Sequence, residues 1–139
     1  MARPYGLNGL KRRLKTMSGP AARKRIGAVL HAAGEMIAVE AQISISTGAV
    51  SGKHHLPSPP GRPPNYDTGN LADMIVVSQP KQRKGGVSVQ VLSNAHYSSA
   101  LEYGTSKMPA RPFMRPAMDK MTPAARKLVS VAARSRKGR

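Results

Sequence analysis

The chain has 139 residues, of which 23 are lysine or arginine and 6 are aspartate or glutamate, so its formal net charge is +17. Its length fits one domain with a modest core, and its charge opposes compaction while favouring contact with polyanions or acidic protein surfaces. The absence of cysteine excludes disulfides and thiolate metal sites.

Residues 1–20 are predicted to form a basic arm or a short helix. A narrow apolar stripe recurs at helical spacing in Leu7, Leu10, Leu14 and Met17. The N-terminus carries charges without an apolar h-region, so no secretory signal is expected. No apolar run approaches the roughly 20 residues that a membrane span needs. These features favour a soluble protein, assembled in the cytoplasm and without contact to a membrane.

A long amphipathic helix is predicted from Ala21 to Ser44, with Pro20 suited to its first turn. Apolar residues recur at helical spacing and define one broad face, namely Ile26, Val29, Leu30, Ala33, Met36, Ile37, Val39 and Ile43. We therefore expect this helix to pack against the rest of the domain.

Residues 46–68 are predicted to be a long, Pro-rich projecting loop. The segment is rich in proline, glycine and serine and has hardly any large aliphatic residue. Irregular segments of this length tend to be functional or disordered, and this one is suited to ordering against a neighbouring protein. His54-His55 lies within it, but the pair lacks a third ligand at suitable spacing, so no metal site is expected.

Two strands are predicted beyond the loop, over Leu71–Gln79 and Val87–Ser93. The second alternates valine with polar residues, which is the pattern of a half-buried strand. Between them lies a basic hairpin tip. Its Lys81, Arg83 and Lys84 cannot be buried unpaired, so we expect them to face solvent, DNA or a protein partner.

A last helix is predicted over about Arg115–Arg134, with a kink or a restart expected at Thr122-Pro123. Residues 134–139 are expected to be a basic, flexible tail. The fold class predicted for the single domain 1–139 is therefore α+β. A long helix in the N-terminal half and a C-terminal helix would pack on a small antiparallel β-sheet.

The most informative segment is HYSSALEYGTSKMPARPFMRPA, residues 96–117, which we call the corner. Two of the four tyrosines and the only phenylalanine are concentrated there. Scarce aromatic residues gathered at one place usually fix a packed or binding surface. Gly104 is suited to a turn with positive φ. Phe113 is expected to fill the core, with an edge that reaches an interface.

Glu102 lies inside the corner and has several possible partners. In so basic a chain it would pair with Arg111, with Arg115 or with an arginine of a neighbouring subunit. The alternative is an exposed carboxylate that contributes about 0–1 kcal/mol. None of the six carboxylates forms an evident acid–base pair, and the sequence has neither a nucleophile elbow nor a Gly-rich phosphate loop. No enzyme activity and no cofactor are expected.

The corner resembles the signature of a tailed-phage (siphophage) family that acts in head–tail joining and tail completion. The matching positions are Tyr97, Glu102, Tyr103, Gly104, Thr105, Ser106, Lys107, Pro109, Ala110, Arg111, Pro112, Phe113, Arg115, Pro116 and Ala117. A second block, Ser58–Leu71, is similar to another segment of the same family. The two blocks occur in the family's order, and the resemblance covers most of residues 20–120.

The resemblance implies a structural virion protein of the neck or tail. It would form a homo-oligomeric ring, a hexamer by the symmetry of the tail tube, and contact the stopper, tail terminator and tail tube proteins. The interface residues it implies are Tyr97, Glu102, Tyr103, Gly104, Thr105, Arg111, Pro112, Phe113 and Arg115. A basic nucleic-acid-binding protein of ribosomal or nucleoid type is the alternative. That alternative explains the charge but not the two sequence blocks.

Overall fold

A computed structural model of the chain describes residues 9, 11, 12, 15, 18–47 and 54–134. The helices are α1 (Pro20–Ser46), α2 (Asn70–Asp73), α3 (Ser98–Tyr103) and α4 (Met114–Arg134). The strands are β1 (Ile75–Val77), β2 (Lys81–Arg83), β3 (Gly86–Ser88) and β4 (Val91–Ser93). Two long helices with small antiparallel sheets confirm the predicted α+β class.

The helix predicted in the basic arm falls mostly outside the described residues. Positions 9, 11, 12, 15 and 18 are helical and exposed. The four residues of the apolar stripe are not among them, so the packing of that stripe stays a prediction. The final basic tail, residues 135–139, also lies outside the described part of the chain.

Helix α1 begins and ends close to its predicted limits. Pro20 occupies the first turn after the N-cap Gly19, where its missing N–H needs no partner. At the other end, the backbone N–H and the Oγ1 hydroxyl of Thr47 both donate to the carbonyl oxygen of Ile43, at 3.1 and 2.6 Å. These bonds close the last turn of the helix.

The buried face of α1 differs from the predicted one because it consists mainly of small residues, namely Ala22, Gly27, Ala33, Gly34, Ala38, Ala41 and Ile45. A Cβ at Gly34 would lie 2.8 Å from Cγ1 of Val77, so a larger residue there would force the sheet away. The predicted apolar face was wrong for Val39 and Ile43, which are 48% and 55% exposed. Close approach of helix and sheet explains the difference.

By length and composition, α1 is also apolar enough to cross a membrane, with a mean hydropathy of 1.2 in its most apolar window. The expectation that no apolar segment is long enough to span a membrane was therefore too strict, because alanine raises the hydropathy without adding a large side chain. In the described residues α1 packs against α4 and the sheets, as a core helix does.

The two predicted strands form one hairpin that is interrupted part-way. Strand β1 pairs antiparallel with β4, and β2 pairs antiparallel with β3. Between the two pairings, three residues (78–80) face two (89–90), which is the count of a β-bulge. Pro80 lies in the longer side, where a residue without an N–H does not disrupt a ladder. The prediction of strand at Leu71 was wrong, because the turn at Gly69 opens the short helix α2.

Helix α4 runs antiparallel to α1 and closes the core. Ala117 packs in the same buried cluster as Ala38 and Ala41, and the Nζ of Lys120 lies 2.5 Å from a carboxylate oxygen of Glu40. The helix continues through Pro123 without interruption, so the expectation of a restart is wrong and that of a kink stays a prediction. The outer face of α4 is exposed to solvent, so the carbonyl of Asp119, which receives no N–H from Pro123, can bind water.

Candidate functional site

The corner turns sharply at the end of α3, as predicted for Gly104. This residue has φ +76° and ψ 174°. A Cβ here would lie 2.8 Å from the backbone nitrogen of Ala110 and 3.0 Å from the carbonyl oxygen of Met108. Backbone atoms cannot rotate aside as a side chain can, so both the dihedral angles and the space require glycine.

After the turn the chain folds back on itself. Thr105 and Met108 exchange two backbone hydrogen bonds, with N···O distances of 2.8 and 3.3 Å. The backbone N–H of Arg111 then donates to the carbonyl oxygen of Leu101 at 2.6 Å. These bonds hold the proline-rich half of the corner alongside α3, so the whole corner behaves as one packed unit.

The carboxylate of Glu102 binds the start of helix α4. One of its oxygens accepts the backbone N–H groups of Phe113 and Met114 at 2.9 and 3.0 Å, and the other accepts that of Arg115 at 2.9 Å. A helix leaves its first four N–H groups without partners inside the helix. Glu102 satisfies three of them, and Pro116 at the fourth position has no N–H. The helix start is therefore fully satisfied.

This arrangement corrects the expectation that Glu102 pairs with Arg111 or Arg115, whereas a pair with an arginine of a neighbouring subunit stays a prediction. Among the described residues, the guanidinium of Arg111 donates to a carbonyl oxygen of the loop, and that of Arg115 lies 3.5 Å from Asp119. The carboxylate binds N–H dipoles at the positive end of a helix instead, a favourable place for a negative charge. Glu102 thus fixes where α4 begins relative to α3.

The two sequence blocks of the family resemblance contact each other directly. The Nε of Arg111 donates to the carbonyl oxygen of Ser58 at 2.9 Å. The backbone N–H of Gly61 donates to the carbonyl oxygen of Ala110, also at 2.9 Å. Ser58 is only 4% exposed. The described part of the Pro-rich loop is therefore packed on the corner, and projection of the whole segment 46–68 stays a prediction, since residues 48–53 lie outside the described chain.

Tyr97 connects the corner with the second half of the Ser58–Leu71 block. Its hydroxyl oxygen accepts a hydrogen bond from the side-chain amide of Asn70 at 3.2 Å, and its ring packs against the core cluster and edge-on to His96. Asn70 follows Gly69, whose φ of +82° starts helix α2. Tyr97 thereby connects α2 with α3.

The two aromatic residues predicted to matter most occupy opposite environments. Phe113 is 1% exposed, which confirms its place in the core. Tyr103 is 83% exposed. It lies at the rim of an open groove between β4, α3 and α4, whose lining includes Ile37, Val91, Ser93, Met114, Arg115 and Met118. One ring therefore holds the fold together, while the other is available to a partner.

The basic residues of the hairpin tip are not part of this site. Lys81, Arg83 and Lys84 are all exposed. They lie on or beside β2, whereas β4 leads into the corner, so the hairpin's length of roughly 20 Å separates the two regions. The sequence pattern identified both regions but did not place them at opposite ends of one hairpin.

Sequence reasoning missed the loop side of the site. Ser58 and Gly61 contribute backbone groups to the contact with the corner, and a backbone carbonyl leaves no signal in residue type. Positive φ at Gly61 (+79°) could have been anticipated, since glycine after two prolines favours a turn. Asn70 gave no signal beyond its turn propensity.

Comparison with known proteins adds the family. The model of the family described as "Bacteriophage HK97-gp10, putative tail-component" matches residues 8–104. The chain belongs to this HK97-gp10-like family. The match covers α1, the Pro-rich loop, the hairpin and α3, and it ends at Gly104, before the second half of the corner. No curated protein and no solved structure matches the chain.

Membership of the HK97-gp10-like family confirms the resemblance seen in the sequence. It identifies the protein as a bacteriophage tail component and implies that it is part of the virion. The same membership implies interaction with other tail or neck proteins.

Proposed function

We propose that this protein completes the end of the phage tail and joins it to the DNA-filled head, as one subunit of a ring around the DNA channel. The observation that carries the proposal is the HK97-gp10-like match over residues 8–104. The corner adds to it, because its second half also follows the signature of a tail-completion family. The role is structural, and a tail component needs no catalytic group.

Exposed apolar surface supports assembly into an oligomer. Among the largest side chains in the described residues, only Phe113 and Ile45 are below 2% exposure. By contrast, several large apolar side chains are more than one third exposed, namely Val39, Ile43, Leu56, Met74, Val76, Tyr103, Met118, Leu128 and Val131. Apolar patches of this kind mark interaction surfaces, so neighbouring subunits or rings would cover them.

The assembly we propose is a closed ring, most simply a hexamer that matches the symmetry of the tail tube. Ring closure uses head-to-tail contacts between two different faces of each subunit. The molecule offers two such faces, the corner with its groove and the outer side of α1. In the neck stack, the ring would meet the stopper, the tail terminator or the tail tube.

Within the corner, the proposed interface residues have two different tasks. Tyr103 and Arg115, both exposed, would contact a neighbour directly. The remaining residues would hold that surface in shape, and these are Tyr97, Glu102, Gly104, Thr105, Arg111, Pro112 and Phe113. Exposed tyrosine and arginine are the residue types that most often carry interface binding energy.

Electron microscopy of particles assembled with and without the gene tests the proposal. We expect full heads beside separate, unjoined tails when the gene is absent, and normal particles when it is supplied in trans. Infectious, normally joined particles in the absence of the gene would exclude the joining role. Native mass spectrometry of the purified protein tests the ring, for which six copies of the 14.8 kDa chain would weigh about 89 kDa.

Tyr103→Ala tests the corner as an interface. Because the side chain is 83% exposed, we expect the folded subunit to keep its melting temperature within about 2 °C. In complementation, we expect the yield of joined particles to fall by tenfold or more. A tenfold loss corresponds to about 1.4 kcal/mol of binding free energy, the order expected for removal of one anchor side chain at an interface. Tyr103→Phe retains the ring and serves as the matched control. Full joining by the alanine variant would exclude Tyr103 as an anchor.

A further inference from the structure

Carboxylates are unevenly distributed over the described residues of this chain. Five of the six carboxylates are already engaged. Glu40 and Asp119 lie near a lysine and an arginine, and Glu35 and Asp67 lie near a histidine. The fifth, Glu102, binds the start of α4. The described segments 18–34, 78–93 and 120–134 contain no carboxylate at all.

Two of these three segments meet at the start of α1. A Cβ at Gly27 would lie 3.0 Å from the Cβ of Pro80 and 3.4 Å from Cγ1 of Val87. Arg23, Lys24 and Gln82 line the same shallow groove. The first turns of α1 and the β2–β3 hairpin are therefore direct neighbours.

The third segment arrives at the same end through helix geometry. Lys120 of α4 lies beside Glu40 of α1. Phe113, just before α4, packs in the same buried cluster as Ile45 at the end of α1, so the two helices run antiparallel. The fourteen residues from Lys120 to Arg134 span about 21 Å, the same length as the fourteen residues from Glu40 back to Ile26. Arg134 therefore lies level with the first turns of α1.

Nine basic side chains are gathered in this way, and we call them the basic end. They are Arg23, Lys24, Arg25, Lys81, Arg83, Lys84, Arg126, Lys127 and Arg134. All nine are exposed. None has a salt bridge to a carboxylate of the described residues. These positive charges repel one another, so only the fold keeps the nine side chains close together.

We propose that the basic end binds the phosphate backbone of double-stranded DNA without reading its sequence. Duplex DNA carries one negative charge about every 1.7 Å of its axis, which suits cations spread over three elements. None of the three segments contains tyrosine, phenylalanine or tryptophan, the large rings on which single-stranded bases most often stack. Phosphate contacts alone hold DNA while allowing it to move along its axis.

The choice of DNA over an acidic protein surface rests on the proposed position around the DNA channel. There the basic end would point inward, and the corner, at the far end of the hairpin, would be left for contacts between proteins. Phosphate binding by the isolated protein does not depend on that position and can be measured separately.

Fluorescence anisotropy with two unrelated DNA duplexes of about 20 base pairs, titrated at several salt concentrations, tests the inference. We expect equal affinity for both sequences and a linear fall of log K with log salt. The double variant Lys81→Gln/Arg83→Gln removes two contacts. Its slope should be lower by about 1.8, and its affinity at about 0.1 M salt should be tenfold to a hundredfold lower.

The matched control is Arg62→Gln/Lys107→Gln, which removes two exposed cations from the loop and the corner. This variant should bind DNA as the wild type does. Equal losses in both double variants would show that only total charge matters and would overturn the assignment to the basic end. Tighter binding of poly-glutamate than of DNA by the wild type would overturn it in favour of an acidic protein.

The melting temperatures of both double variants should match the wild type, because all four substituted side chains are exposed. Failure of this inference can be told from failure of the proposed function. Unjoined tails in the deletion, together with a protein that does not bind DNA, would leave the joining role intact. Salt-dependent DNA binding by the protein, together with normal particles when its gene is deleted, would support the inference and exclude the joining role.

Discussion

The corner and the tip of the β2–β3 hairpin are both turn regions, yet they are held in different ways. In the corner, side chains bind backbone groups distant in sequence, as when the carboxylate of Glu102 caps α4 and the guanidinium of Arg111 holds the loop at Ser58. At the tip, Gly85 has a φ of +89° and nothing within 4 Å of its would-be Cβ. All three residues of β2 are exposed.

This difference indicates two kinds of surface. A corner fixed by tertiary contacts presents a defined shape, which suits recognition of a protein neighbour. A hairpin with a two-residue loop, fixed by local turn geometry, presents positive charge without a defined binding shape, which suits a uniform polyanion. Substitutions should therefore be costly in the corner for the fold, and costly at the tip only for binding.

The largest effect on stability is expected from Phe113→Ala. The side chain is 1% exposed and packs among Ala38, Ala41 and Ile45, so its removal should lower the free energy of unfolding by about 3–5 kcal/mol. Urea denaturation followed by circular dichroism measures the change. Tyr103→Ala in the same corner is the control and should stay within about 0.5 kcal/mol. Similar losses for both residues would contradict their opposite placement.

Alanine substitutions at three glycines separate the effect of backbone strain from that of steric crowding. Gly104→Ala combines positive φ with backbone contacts below 3.1 Å, so we expect a loss of about 2–3 kcal/mol. Gly85→Ala has positive φ in open space and should lose about 1 kcal/mol. Gly86→Ala has neither feature and should change stability by less than about 0.5 kcal/mol. Thermal melts of the three variants should give this order, and an equal loss at Gly85 and Gly104 would remove crowding as a cause.

Local patterns predicted the elements well where the cause is local. Pro20 and the apolar spacing gave α1 within two residues at each end, and Gly104 predicted a turn that is found. The alternation of valines predicted one strand over Val87–Ser93, where β3 and β4 lie, and the position of Phe113 in the core followed from its scarcity. In each case the residue type alone carries the constraint.

The remaining features depend on contacts between distant segments and could not be read from residue type. The buried face of α1 is set by how closely Val77 and Pro80 approach Gly34 and Gly27, which no hydrophobic spacing reports. The partners of Glu102 are backbone N–H groups, so a search for arginines could only miss them. Pro123 was expected to disturb α4, but on an exposed face the lost hydrogen bond does not break the helix.

A loss smaller than those at Phe113 and Gly104 is expected at Glu102, and it tests the mode of capping directly. Glu102→Ala leaves three backbone N–H groups to water and removes a negative charge from the start of α4. We expect a loss of about 2 kcal/mol, and about 1 kcal/mol for Glu102→Gln, whose amide oxygen can still accept a hydrogen bond. Denaturant titrations measure both changes.

The matched control for this pair is Asp119→Asn, which removes an exposed carboxylate one turn into the same helix. Its pair with Arg115 is 3.5 Å long and both side chains are more than 60% exposed, so the loss should be under about 0.5 kcal/mol. If Asp119→Asn cost as much as Glu102→Ala, general charge near the helix start would explain both results. A loss confined to Glu102 would instead show that the corner, and not the surface charge, determines where α4 begins.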